Sequence, residues 1–176
     1  MWIIPYAAIA LGVVALDQIS KLLILEFLYK GQLELIPGVL NFTYVENRGM
    51  SFGWLSDHRW VFMLLSAIAI PLMCFYLWRY VKPRLGRVAL TMVIGGAIGN
   101  MIDRVAYGFV VDFIDFCAFD FWKWVFNVAD AAICVGAGLF LLYAVLDTVR
   151  EMKRKKEQPA TDGAQAPKED SDGSNA

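Results

Sequence analysis

The sequence predicts an all-α polytopic membrane protein: four transmembrane helices carrying a small extracytoplasmic antiparallel β-sheet and an interfacial helix or loop. Three observations predict it. Hydrophobic residues fill 59% of 176 positions, more apolar surface than a soluble domain of this size can hide, because small domains have much surface for their volume. That apolar content is gathered into four long runs. The cations are segregated, with one cluster between the second and third runs and another after the fourth.

The first span, about 2–27, is apolar except for Asp17-Gln18-Ile19-Ser20-Lys21 and Glu26 near its end. Between about 31 and 56 the pattern becomes extended. Leu33, Leu35, Val39, Phe42, Tyr44 and Val45 suit strands, and Pro37-Gly38 supplies a turn between them. The second and third spans cover about 60–78 and 88–107. The uncharged part of the third is short of the roughly 20 residues that cross about 30 Å of hydrocarbon. It therefore continues through Asp103 and Arg104 toward Tyr107, which implies buried polarity. The exterior segment 108–124 mixes Phe, Trp, Asp115, Asp120 and Lys123, as an interfacial helix or loop would. The fourth span covers about 125–146, and residues 1–150 form one membrane domain. The rest, 151–176, is expected to be a disordered cytoplasmic tail, since after Glu157 it loses nearly all large apolar side chains.

Orientation follows from the cations, because cytoplasmic connections are enriched in Lys and Arg. Arg79, Lys82, Arg84 and Arg87 lie between spans two and three, and Arg150, Lys153, Arg154, Lys155 and Lys156 come after span four. Both segments are expected inside, with both termini. At 1.5 Å per residue, Asp17, Lys21, Asp103 and Asp130 then lie about 23–30 Å up their spans, near the outer face. Asp112, just past span three, joins that layer. A carboxylate at such a depth is costly to keep and is a functional candidate by default.

Asp112 and Asp130 are the candidate catalytic pair. Two carboxylates held close cannot both ionise, so one keeps a proton while the other is charged. Amide hydrolysis needs that division: the ionised member takes a proton from water, and the neutral one polarises the carbonyl and protonates the leaving amine. The competing reading is that each aspartate caps a helix or pairs with a cation. Asn100 and Arg104 are four apart on span three, and Asn127 and Asp130 are three apart at the start of span four, so each pair shares a helix face. Such carboxamides and a guanidinium can hold a peptide carbonyl and its developing oxyanion. Asp17 and Lys21, four apart, suit an intrahelical ion pair as well as a catalytic role. Gly95, Gly96 and Gly99 make span three thin, which close helix packing alone explains.

Other chemistries fit poorly. A formal net charge of −1 argues against nucleic acid, whose binding rests on displaced counterions. The one histidine, His58, stands in an exterior loop without ligand-spaced partners, so no metal site is expected. No phosphate-binding glycine loop is present, and no cofactor is expected. A Ser/Lys dyad would have to join Lys21 to Ser51, because Ser20 points away from Lys21 on a helix. Cys74, Cys117 and Cys134 read as packing residues rather than a disulfide framework. No cleavable leader is expected, since no cation precedes the first run. A transporter would need a polar path to both faces, whereas the inner halves of the spans are apolar. A scaffold protein would leave the acid pair unexplained.

Five blocks carry a resemblance. In order, Asp17-Gln18-Ile19-Ser20-Lys21, Asn47-Arg48-Gly49-Met50-Ser51-Phe52, Gly99-Asn100-Met101-Ile102-Asp103-Arg104, Val111-Asp112-Phe113 and Phe126-Asn127-Val128-Ala129-Asp130 resemble the sequence blocks of bacterial lipoprotein signal peptidase, or signal peptidase II. The resemblance runs from about residue 10 to 140. The Gly-x-Gly-Asp motif of presenilin-type and prepilin-type aspartyl proteases is absent. The resemblance implies a metal-independent aspartyl endopeptidase of the bacterial cytoplasmic (inner) membrane, with its site near the periplasmic face. It would cleave prolipoproteins before a diacylglyceryl-modified cysteine, with membrane lipid around it, as a monomer. By matching position, Asp112 and Asp130 are catalytic, Asn47, Asn100, Arg104 and Asn127 bind substrate, and Asp17, Lys21, Gly49 and Asp103 give structural support. Globomycin-type cyclic peptides are the implied inhibitors. Ser51 departs from the alanine common in its block, and the tail after Glu157 has no counterpart.

Overall fold

The computed structural model describes residues 3–49, 59–118, 121 and 124–157. Its elements run α1 (Ile3–Phe27), β1 (Gln32–Ile36), β2 (Leu40–Asn47), α2 (Arg59–Arg79), α3 (Arg84–Ala106), β3 (Val110–Phe116), β4 (Val125–Phe126) and α4 (Val128–Glu157). Among the described residues, four helices are long and apolar enough to cross a membrane. Their outward faces expose side chains such as Leu11, Leu64, Leu72 and Leu141, which suits a hydrocarbon solvent and would be unfavourable in water.

The helices are not equivalent. Half of α3's most apolar window is buried, against 17% for α1 and α4 and none for α2, so α3 is the post on which the others pack. Its glycines allow this. A Cβ on Gly95 would lie 2.9 Å from Val13 Cβ, and one on Gly96 would run into the carbonyl of Ala129. Small residues are what close helix approach in lipid requires, because apolar burial gives no drive there.

At one end of the bundle lies an antiparallel four-stranded sheet, ordered β1-β2-β3-β4. Pro37 and Gly38 turn β1 into β2 as expected: Val39 N donates to Ile36 O at 2.9 Å, and Gly38 takes φ 68°, the second central position of a type II turn. Ile24 of α1 packs with Val111 and Phe113 of β3, and Phe113 meets Phe42 of β2 edge to face. This cluster ties the sheet to the helix ends.

Four boundaries differ from the sequence expectation. The segment 108–124, expected as an interfacial helix or loop, supplies β3, because the run Val110, Val111, Asp112 and Phe113 is buried between the sheet and the helices. The fourth helix begins at Val128 and not at 125, since Val125 and Phe126 pair with Asp115 and Ile114. The third begins at Arg84, directly after Pro83, which lies outside the helix in extended conformation and lacks the N–H to continue inward. The fourth also runs on to Glu157, past the expected boundary at 150. Residues 158–176 lie outside the described residues, as do Ser51 and His58.

Candidate active site

Where α1, α3, α4 and the sheet meet, polar side chains form two adjoining clusters. The first is centred on Lys21. Its ammonium lies 2.8 Å from Asp17 Oδ2, 2.8 Å from Asp103 Oδ2 and 3.1 Å from Asn100 Oδ1, so all three of its donors are used. Lys21 is 2% exposed and both acids 0%. The expected pairing of Asp17 with Lys21 is present, and the structure adds Asp103 to it.

The carboxylates of this cluster also bind backbone. Asp103 Oδ2 accepts Val111 N of β3 at 3.1 Å, and Asp17 Oδ1 accepts Ala129 N of α4 at 2.8 Å. The first turn of a helix has N–H groups without intrahelical partners and a partial positive charge. Asp17 thus caps α4 from another helix. Gly99 makes this possible: a Cβ there would stand 2.5 Å from Asp17 Oδ2. Packing alone therefore does not account for Gly99.

The second cluster joins Asp112 to Asp130 through Asn127 and Asn100, with Asn47 as a third carboxamide on Asp112. Asn127 caps α4, its Oδ1 accepting Asp130 N at 2.8 Å while Asp130 Oδ2 accepts Asn127 N at 3.3 Å, the reciprocal arrangement of a capping box. With Oδ1 committed to the helix, Asn127 Nδ2 points outward and donates to Asp112 Oδ1 at 2.6 Å and to Asn100 Oδ1 at 3.1 Å. Asn100 is oriented in the same manner. Its Oδ1 faces Lys21 and Asn127, so its Nδ2 donates to Asp130 Oδ1 at 2.7 Å. Asn47 reaches Asp112 Oδ2 at 2.8 Å from the end of β2. Val45 is the register partner of Asp112, and Asn47 lies two residues on, on the same face. The Asn47 oxygen accepts Gly49 N at 3.1 Å, and Gly49 takes φ 131°, a conformation open to glycine.

Each carboxamide therefore has its oxygen held from behind and its donors aimed at the acids or at a neighbouring amide. Among the described residues, neither Asp112 nor Asp130 is in an ion pair. Asp112 is 2% exposed. Its burial, and next the charge of Asp130, push its carboxyl up from the ordinary 3.8 to about 7, against the donors of Asn47 and Asn127. The competing reading of the sequence is half right for Asp130, which does complete a helix cap while its charge acts on the other acid.

Asp130 and Asn47 line a cavity of about 280 Å³ together with Trp124, Val125, Phe126, Ile133 and Cys134. Arg104 is close enough to act electrostatically on Asp130 and Asp112. It donates to Asn100 O at 3.1 Å and stacks 5.3 Å from the ring centre of Phe62 on α2. Gln18 was not among the expected site residues, yet its Nε2 contacts Asp17 Oδ2, Gly99 O and Asp103 Oδ1 at 3.1, 3.2 and 2.9 Å. A carboxamide in an apolar run, beside an aspartate, is the signal that would have found it. Lys21 is fully engaged in its own cluster, and Ser51, its would-be dyad partner, lies outside the described residues. Among those residues, no group of three or more His, Cys, Asp and Glu side chains is placed to hold a metal ion.

Comparison with known proteins places this chain in a lineage. A family model described as signal peptidase (SPase) II matches residues 9–146. The lipoprotein signal peptidase of Listeria monocytogenes serotype 4a is 40% identical over 144 residues, 81% of this chain and 94% of that one. Those of Symbiobacterium thermophilum and Burkholderia cenocepacia are 43% and 42% identical, over 78% and 83% of this chain and 92% and 90% of their own. A solved structure described as a bacterial membrane enzyme, at 2.3 Å by the in meso method, superposes with a TM-score of 0.78 at 32% identity, covering 88% of this chain and 93% of the other.

Proposed function

We propose that this chain, which belongs to the signal peptidase II family, removes signal peptides from prolipoproteins by aspartyl chemistry, cutting before a diacylglyceryl-modified cysteine. The observation that carries the mechanism is the joining of Asp112 and Asp130 through Asn127, with no ion pair to either among the described residues. With no cation among those residues bonded to either acid, the pair favours retention of one proton near neutral pH.

In the proposed step the ionised carboxylate takes a proton from water, whose oxygen bonds to the scissile carbonyl carbon. The protonated carboxyl donates to the carbonyl oxygen, the C–N bond breaks, and a proton passes to the leaving nitrogen. The cavity beside Asp130 offers the peptide a place. Asn47, Asn100 and Asn127 fix the acids first, since their donors already point at them, and so hold the substrate indirectly. Arg104, beside the acids but not bonded to either, is assigned to the developing oxyanion. Asp17, Lys21, Gly49 and Asp103 keep the positions of α4, Asn47 and β3.

Location follows the charges. Arg79, Lys82, Arg84 and Arg87 fall at the bundle end away from the sheet, as do Arg150 to Lys156 at the end of α4. This supports an inner-membrane enzyme with cytoplasmic termini and its site at the outer surface, where a lipid-anchored cysteine is presented. We read it as a monomer, blocked by globomycin-type cyclic peptides that occupy the space between the acids.

The test is cleavage of a diacylglyceryl-modified prolipoprotein by the purified protein. Asp112→Asn and Asp130→Asn are each expected to lose about 10³-fold in rate while keeping the parent circular dichroism, because an amide cannot exchange the proton. Parent-like cleavage by either variant removes that residue from the dyad.

A further inference from the structure

We propose that the cleft between α1 and α2, in the half of the bundle away from the acids, binds one anionic glycerophospholipid, with its phosphate at Arg87, an ester carbonyl at Thr91 and an acyl chain between the helices. The cleft exists because α1 and α2 both pack on α3 and make few contacts with each other. It encloses about 300 Å³, twice the ~150 Å³ that suffices for benzene. Tyr6, Ala7 and Ala10 form one wall, Leu77 and Trp78 the other, and Thr91 part of the floor. The small side chains of Ala7 and Ala10 recur at helical spacing and keep the wall thin.

Two polar features distinguish this cleft from ordinary lipid-facing surface. Thr91 is 2% exposed, and among the described residues its Oγ1 has no hydrogen-bond partner. A buried hydroxyl is normally satisfied, and an unmet one is costly. A carbonyl oxygen entering the cleft would accept from it. One helical turn earlier, about 6 Å along α3, stands Arg87. Its guanidinium lies 5.7 Å from the ring centre of Tyr6, and its Nε donates to Val81 O at 2.9 Å, which fixes it at the mouth. Arg79, Lys82 and Arg84 are exposed at the same end, and the segment from Arg79 to Arg87 has no acid. Phosphate, ester and chain occur in that order in a glycerophospholipid. The apolar part of a signal peptide is the other apolar candidate, but it comes after a positively charged segment, which this collar repels.

The full chain in nonionic detergent, offered equal phosphatidylglycerol and phosphatidylcholine of matched chains, reads the proposal by native mass spectrometry, independently of peptidase activity. Phosphatidylglycerol should be retained in preference. Arg87→Gln should lower that retention about fivefold, Thr91→Val should weaken both lipids alike, and Ala7→Phe should abolish retention at the parent circular dichroism. Thr91→Val is nearly isosteric, so it keeps the test open if a bulkier variant misfolds. Equal retention of both lipids, unmoved by the substitutions, would mean a non-selective lipid coat and overturn the proposal. So would cross-linking of Ala7→Cys to the apolar stretch of a prolipoprotein in place of lipid.

Discussion

Two pairs of aspartates occupy one layer of this protein and are treated oppositely. Asp17 and Asp103 share the Lys21 ammonium through their Oδ2 atoms, that of Asp103 also accepting Val111 N, and their remaining oxygens accept Ala129 N and Gln18 Nε2. Asp112 and Asp130 receive only neutral donors. Paired charge in a buried place fixes geometry, because breaking it leaves an uncompensated ion. Unpaired acids in contact with amides keep a proton available. The comparison teaches that depth or burial alone does not mark the chemical pair, since Asp17 and Asp103 are the more buried. What marks it is that no cation among the described residues bonds to it directly.

The largest expected effect is the loss of cleavage in Asp112→Asn and Asp130→Asn. Next comes Lys21→Met, which leaves two buried carboxylates without their cation and should cost ~3–5 kcal/mol, read as a lowered unfolding midpoint in detergent. Adding Asp103→Asn should restore part of it. If Lys21→Met is as stable as the parent, the first pair is not charge-compensated and the contrast fails. Asn127→Ser keeps an oxygen cap on α4 but removes the amide donor to Asp112, whose charged hydrogen bond is worth ~1.5–3 kcal/mol. Cleavage should fall by about 10- to 100-fold while the helix content by circular dichroism stays at the parent value, separating the cap from the chemistry. Gly99→Ala forces Asp17 from its place against α3 and should destabilise by ~1–3 kcal/mol, visible in the same thermal scan.

The contrast can also be sharpened through pH. Asp112 holds its proton more tightly folded than unfolded, so its contribution to stability is complete below about 3.8 and lost as pH rises through about 7. The parent should lose midpoint relative to Asp112→Asn across that interval, and its cleavage should decline above about 7 as the shared proton leaves. Parallel midpoint curves would show that Asp112 is not held protonated by its surroundings.

Much of this was legible in the chain. Span positions follow from hydropathy, the Asp17 and Lys21 pairing from their four-residue spacing, and the Pro37-Gly38 turn from φ chemistry. Asn127 and Asp130, three apart, were legible as sharing one helix face, but the cap they form was not, since the fourth span was expected from 125. The contacts that join elements were not legible. Asp17 reaching Ala129 N spans 112 positions, and no local pattern encodes it. Strand β3 was hidden because the aromatic residues around it suggested a membrane interface, while its pairing with β2 is long-range. The placement of Asp103 against Lys21 needed the packing of α1 on α3, which the glycines hinted at without specifying.

The cap on α4 has a consequence for how the enzyme fails. Asn127 holds the first helical turn and bridges the two acids with the same side chain. Opening of that one turn would separate the acids while the membrane bundle stayed whole. Heat or detergent should therefore silence the protein at a lower temperature than melts it, and activity would be the earlier alarm.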